Sequence, residues 1–233
     1  MRILAIFAHP DDESYGPGGT LAKYARAGHR VDLLTLTRGE AGSLGICKTL
    51  APEEKAEMRR RELECAAETL GIQSITLLNY PDGQLNTISY QEGETVVARE
   101  IRRRVPDIII TFHDSGISGH PDHIAVARWC RNAVQRLDVN VRLFYFGLDA
   151  RQAERIPNRP LFPIPQTDIT HAIAVEDYLK IKIQAIHCHQ SQLELWQRLQ
   201  SAHGGYWQNA AIEYFMQVWP SRRTQALRED LGS

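Results

Sequence analysis

The chain has 233 residues, 43% hydrophobic and 24% charged, an ordinary globular composition with enough length for one sizeable core. Its 27 Lys and Arg nearly balance 28 Asp and Glu, so nothing in the charge suggests a basic surface that grips nucleic acid. No apolar stretch is long enough to span a membrane, and Met1-Arg2 runs straight into a strand-like segment rather than a leader. The expectation is one domain over residues 1–233, cytoplasmic, engaging neither membrane nor nucleic acid.

In chain order, Ile3–Ala8 is an apolar run that predicts a buried strand. Pro17-Gly18-Gly19-Thr20 opens a helix that stops near Gly28, and Val31–Thr37 is the next strand. A polar, glycine-containing loop fills Arg38–Leu50. Pro52 suits an early helical position, Glu53 and Glu54 suit a first turn, and that helix runs to Leu70 with Gly71 beyond its end. Ile75–Leu78 is a third strand, followed by the turn Tyr80-Pro81-Asp82-Gly83. A helix from about Glu92 to Arg104 precedes the fourth strand, Asp107–Phe112. Another helix reaches about Leu137, and Val141–Phe146 is a fifth strand. Arg151–Thr167, with Pro157, Pro160, Pro163 and Pro165, reads as an irregular connection near the site. Ile169–Val175 is a further strand with a helix from about Asp177. The last third, with Trp196, Trp207 and Trp219, is expected to pack over one end of the sheet. This alternation predicts an α/β protein whose mostly parallel sheet carries helices on both faces.

Cys47, Cys65, Cys130 and Cys188 show no paired CxxC spacing and read as reduced thiols. Cys188 lies between His187 and His189, yet an isolated cysteine is more naturally a small buried hydrophobe than a ligand.

Chemistry concentrates in two clusters. His9-Pro10-Asp11-Asp12-Glu13 follows the first strand, and His120-Pro121-Asp122-His123 follows the fourth. Each places imidazoles and carboxylates where a strand ends, the edge at which open α/β sheets bind ligands. Two adjacent carboxylates repel if buried alone, and a divalent cation removes that repulsion. His plus carboxylate with an open position is the ligand set of a catalytic rather than a structural zinc site. Taken singly, each cluster also reads as a polar turn capping the next helix. Gly16-Pro17-Gly18-Gly19 suggests a dinucleotide loop, but that fingerprint needs glycine where Leu21 stands, and Asp11, Asp12 and Glu13 would repel a pyrophosphate.

On these residues the chain resembles the PIG-L/LmbE-like family of zinc-dependent N-acetylglucosaminyl deacetylases. The string Ala8–Glu13 and the later His120–His123 carry the resemblance. Thr37-Arg38-Gly39-Glu40, Arg59 with Glu62, Leu70-Gly71, Pro81-Asp82-Gly83 and His189-Gln190-Ser191-Gln192 add to it. The resemblance implies a Rossmann-like fold with His9, Asp12 and His123 as ligands of Zn2+, Fe2+ being a second metal for the same set. It implies Asp11 as the general base, with protonated His120 stabilising the oxyanion or protonating the leaving amine, and Asp122 orienting His120. Arg59, Asp82 and Glu40 would contact the substrate, an N-acetylated amino-sugar conjugate, and a homo-oligomer is possible by the same analogy. Ser118 stands where some inositol-linked members of the family carry an aromatic residue, so the aglycone stays open. Two other classes stay open as well: a metal-dependent phosphoesterase and a non-catalytic sugar- or nucleotide-binding protein.

Overall fold

The computed structural model describes residues 1–42, 49–137, 139–156, 160–200, 210–220 and 227–232. Seven strands form one sheet: β1 (Arg2–Phe7), β2 (Arg30–Thr37), β3 (Ser74–Tyr80), β4 (Ile108–Phe112), β5 (Arg142–Gly147), β6 (His171–Ala174) and β7 (Ile212–Trp219). The helices in chain order are α1 (Asp12–Tyr15), α2 (Gly18–Arg26), α3 (Pro52–Leu70), α4 (Tyr90–Arg104), α5 (Gly116–Gly119), α6 (Pro121–Arg136), α7 (Ala150–Glu154), α8 (Leu179–Cys188) and α9 (Leu193–Gln200).

The strand order is β3-β2-β1-β4-β5-β7-β6. The first five strands are parallel, with Ile3 opposite Val31 on one side and Ile108 on the other. Strand β1 is buried from Ile3 onward, which is why it reads as a continuous apolar run rather than an alternating one. Its side chains still divide between two faces. Ile3, Ala5 and Phe7 join a core with Leu21 of α2, Leu63 of α3 and Ala185 of α8. Leu4, Ile6 and Ala8 join a second core with Val97 of α4 and Trp129 of α6. The chain steps outward from β1 to β3, then returns to start β4 on the other side of β1. The crevice at such a reversal is where this kind of sheet binds ligands, and both clusters lie there.

Three expectations change. The last third does not pack over the end of the sheet: Ile212–Trp219 enters it as β7, antiparallel between β5 and β6. Its buried positions are Glu213, Phe215 and Gln217, so polar residues on the inward face hide the strand from a hydrophobicity pattern. The connection after β5 opens with a short helix, α7, capped by Asp149. Cys65 and Cys188 are not reduced thiols but a disulfide, because α3 packs on α8 and brings their Cα atoms to 5.7 Å, inside bonding geometry. This removes Cys188 as a metal ligand and takes away the cysteine argument for a cytoplasmic location. Cys130 is free and buried, and Cys47, Pro157 and Trp207 lie outside the described residues. Among the described residues no helix is long and apolar enough to cross a membrane.

Candidate active site

His9 lies two residues beyond β1 and His123 is in the first turn of α6, and tertiary structure brings their ring centroids to 5.3 Å. His9 Nδ1 is 3.3 Å from His123 Nε2, His123 Nε2 is 3.3 Å from Asp12 Oδ1, and His9 Nδ1 is 3.5 Å from Asp12 Oδ2. With metal bonds of about 2.0–2.1 Å, a tetrahedral site sets neighbouring donor atoms about 3.3–3.4 Å apart. The two imidazole nitrogens stand at that edge length, and Asp12 presents one carboxylate oxygen to each of them at 3.3 and 3.5 Å.

The far side of each ring decides which nitrogen can face an ion. His9 Nε2 lies 3.0 Å from Asp82 Oδ1 and 3.1 Å from Asp122 Oδ2, so it carries the proton and leaves the Nδ1 lone pair pointing into the cluster. His123 Nδ1 donates to the Gly116 carbonyl at 3.3 Å, leaving the Nε2 lone pair inward. Buried carboxylates and carbonyls behind ligand imidazoles are the usual support of a metal centre. The carboxylates dominate the electrostatics of the cluster. Burial works to lower the His9 pKa, but Asp12, Asp122 and Asp82 outweigh it and hold it well above the ordinary imidazole value. Burial would raise Asp12, yet His123 and His9 keep it well below the carboxylate range. Three carboxylates gathered round two imidazoles are a surplus of negative charge that a divalent cation would balance.

The Gly116–Gly119 turn has an unusual backbone. Gly116 and Gly119 have positive φ, and so does the β-branched Ile117, at φ 63°. Residues held there cost roughly 1–3 kcal/mol and cluster at functional sites; here the turn aims the Gly116 carbonyl at His123. Asp11 is similarly held, at φ 110°. Its N–H donates to Glu13 Oε2 at 3.0 Å, its carbonyl accepts from Ser14 and Tyr15, and its Oδ2 accepts from Arg59 Nη2 at 3.0 Å. Burial pushes the Asp11 carboxyl up to about 6, with Arg59 pulling it back and Asp12 adding to the rise.

The remaining predicted residues fall around this centre in different ways. His120 caps α6: its Nδ1 accepts the Asp122 N–H at 3.2 Å, which leaves Nε2 to carry the proton of the neutral ring. Burial, then the neighbouring His123 and His9, push its pKa down to about 4. The Asp122 carboxylate lies within 4.8 Å of a His120 ring nitrogen, but its hydrogen bonds go elsewhere. It sits behind His9 and is itself held by the Gly83 and Leu85 amides at 2.8 and 2.9 Å. Asp82 also backs His9 and accepts from Ala41 N at 2.9 Å. Arg59 is buried and directs its guanidinium at Asp11, the Gly39 carbonyl and the Pro10 carbonyl rather than at open space. Glu40 accepts the Asp82 N–H at 2.8 Å through Oε1, while its buried Oε2 has no partner among the described residues.

Two residues of the resemblance motifs outside the predicted ligand, catalytic and substrate sets belong here. Glu13 and His189 are fully buried and paired at 2.7 Å, although 176 positions separate them. Glu13 stands inside the first cluster and His189 opens the His189–Gln192 motif, so both positions carried a signal; their pairing did not. Beside them the buried Lys182 of α8 and Glu213 of β7 pair at 2.6 Å. Glu213 accepts the Gly19 and Thr20 amides at the start of α2, and Lys182 donates to the Gly16 carbonyl, pinning the glycine turn that follows the first cluster. Phe162 donates its N–H to the Ile117 carbonyl at 2.8 Å and accepts from Ser115 Oγ at 3.2 Å, so the segment after residue 160 is strapped to the turn before His120.

The sequence pattern of the PIG-L family, GlcNAc-PI de-N-acetylase, matches residues 4–134. A 1D-myo-inositol 2-acetamido-2-deoxy-alpha-D-glucopyranoside deacetylase of Kineococcus radiotolerans is 39% identical over 153 residues, 54% of this chain but only 42% of that relative. The enzyme of the same name from Saccharomonospora viridis is 30% identical over 227 residues, 82% of this chain and 85% of that one. Among solved structures, the zinc-inhibited form of teicoplanin deacetylase Orf2 superposes with a TM-score of 0.71 at 20% identity, covering 93% of this chain and 97% of that one, a likeness of fold.

Proposed function

The chain belongs to the PIG-L family, and from that premise we propose that it is a metal-dependent hydrolase that removes the acetyl group from an N-acetylglucosamine conjugate or a related small glycan. The observation that carries this reading is the convergence of His9 Nδ1, the Asp12 carboxylate and His123 Nε2 within 3.3–3.5 Å, with the strained Asp11 beside them. The domain is read as residues 1–233.

His9, Asp12 and His123 would hold the ion, zinc by this assignment and iron(II) as the second choice for the same donors. When bound, such a cation supplies Lewis-acid polarisation of the acetamide carbonyl and acidifies a water. The protein's own groups do the rest. Asp11, poised near 6, takes a proton from the attacking water. Arg59 keeps the Asp11 carboxylate aimed. His120 is neutral near pH 7 and donates a hydrogen bond from Nε2 to the oxyanion rather than a proton. The proton on Asp11 then passes to the amine nitrogen as the C–N bond breaks, giving acetate and a free amino sugar. Asp122 and Asp82 fix the tautomer of His9. Glu40 Oε2, buried and without a partner among the described residues, is a natural acceptor for a sugar hydroxyl.

The phosphoesterase alternative would use two metals with separate donors. Among the described residues the two possible metal groups, His9 with Asp12 and His123 and His9 with His120 and Asp122, both draw on His9, so they do not supply two independent donor sets. The decisive experiment is primary-amine release from N-acetylglucosamine conjugates bearing inositol, malate, oligosaccharide or phosphatidylinositol, with chelator and with zinc added back, alongside metal content by mass spectrometry. Release that stops with chelator and returns with zinc is expected. No release from any conjugate by fully metallated protein would refute the assignment.

A further inference from the structure

We propose that His189 and Glu13 form a positioning pair that sets the conformation of Asp11; the inference rests on the deacetylase reading above.

Asp11 has a backbone geometry that a side chain adopts only under constraint, φ 110° with ψ −27°. A conformation of that kind persists only when surrounding groups over-determine it. Its carbonyl is held by the Ser14 and Tyr15 amides, which any first helical turn would supply. Its N–H is different. It donates to Glu13 Oε2 at 3.0 Å, so the same carboxylate that sits two residues downstream clamps the start of the turn. Glu13 is fully buried and needs partners of its own. Ser14 Oγ donates to Oε1 at 2.6 Å, and His189 Nε2 approaches the same oxygen at 2.7 Å.

His189 arrives from the far end of the chain. It follows the last residue of α8, is fully buried, and its Nδ1 has no partner among the described residues, so Glu13 is the group its ring serves. Its neighbour Cys188 is bonded to Cys65 on α3, the helix that also carries Arg59. Asp11 is thus set from two sides: Arg59 of α3 grips its carboxylate, and His189 grips the carboxylate that grips its backbone. Removing the imidazole leaves Glu13 short of a buried donor, frees its carboxylate to turn, and lets the Asp11 backbone relax. A displacement of about 1 Å at a reacting group costs on the order of 10²-fold in rate.

The test uses the full chain, metal-loaded, in the amine-release assay, with His189→Leu, His189→Gln and each combined with Asp11→Ala. If His189 acts through Asp11, His189→Leu lowers kcat by about 10–100-fold while KM and bound metal stay within about twofold. His189→Gln, whose amide can still donate to Glu13, recovers most of the loss. In the Asp11→Ala background neither change lowers the residual rate further, because residues acting as a unit are not additive. Unchanged kcat in His189→Leu, or an equal loss with and without Asp11, overturns the inference. If His189→Leu does not fold, His189→Asn, polar but too short to reach Glu13, is judged by the same criteria. Wild-type protein that releases no amine from any conjugate overturns the deacetylase reading and this inference with it.

Discussion

The Cys65–Cys188 bond offers a prediction with a magnitude that follows from its position in the chain. It joins α3 to α8 across a sequence separation of 123 residues. Cross-linking the unfolded chain over a loop of that length removes closure entropy worth about 5 kcal/mol at 25 °C in the chain-entropy model, and realised gains run at about 2–5 kcal/mol. For a chain of this size each kcal/mol moves the melting temperature by about 2–4 °C. Cys65→Ser, or reduction of the wild type with a phosphine, is therefore expected to lower the melting temperature by about 5–20 °C. The assay is thermal and urea unfolding of oxidised, reduced and Cys65→Ser protein, with thiols counted in denaturant. Oxidised protein should show two fewer titratable thiols than reduced protein, and reduced wild type should match Cys65→Ser. Identical unfolding midpoints in all three, or a thiol count that reduction leaves unchanged, would refute the reasoning.

Three other outcomes are expected. Asp11→Asn, which keeps the shape and loses the base, should retain bound metal and lose about 10²–10⁴-fold in kcat; near-normal turnover of the metal-loaded variant would sink the base assignment. Asp122→Asn removes a carboxylate behind His9 Nε2 and should weaken metal binding by about 10–100-fold in competition with a chelator. At the opposite end of the sheet, burial works to raise Asp32, but hydrogen bonds from Arg30 and Ser74 and the charge of Arg104 outweigh it and hold its carboxyl below the ordinary value. A folded pKa below the unfolded one stabilises the protein above the unfolded value of about 3.9, and the contribution fades as pH falls through the folded pKa. The stability gap between wild type and Asp32→Asn, measured by urea midpoint, should be present at pH 7 and shrink below about pH 4. A gap that stays constant with pH would show that Asp32 contributes shape alone.

Strand and helix identity in the parallel half was written locally. Ile3–Ala8, Val31–Thr37 and Asp107–Phe112 are β-branched and apolar because a strand covered on both faces has no wet side, so continuous runs mark them. The helix over 52–70 carries its own punctuation, proline at the start and Gly71 at φ 81° after its end. The two clusters follow those strands, so their meeting at the sheet edge follows from topology once the strands are parallel. What sequence could not carry is any relation made by polar groups across long separations. β7 hides behind Glu213 and Gln217, whose burial makes sense only beside Lys182 and its other distant partners. Asp122 is hydrogen-bonded to His9, and Arg59 to Asp11, because direction depends on where α3 and α6 lie against β1. Cys65 and Cys188 bond because two helices pack, not because of their spacing in the chain. Which residues could do chemistry was legible in the chain, since donor type and strand-end position are local properties. Which atom of each faces inward was set by packing, because a buried polar group takes its orientation from the partner that satisfies it.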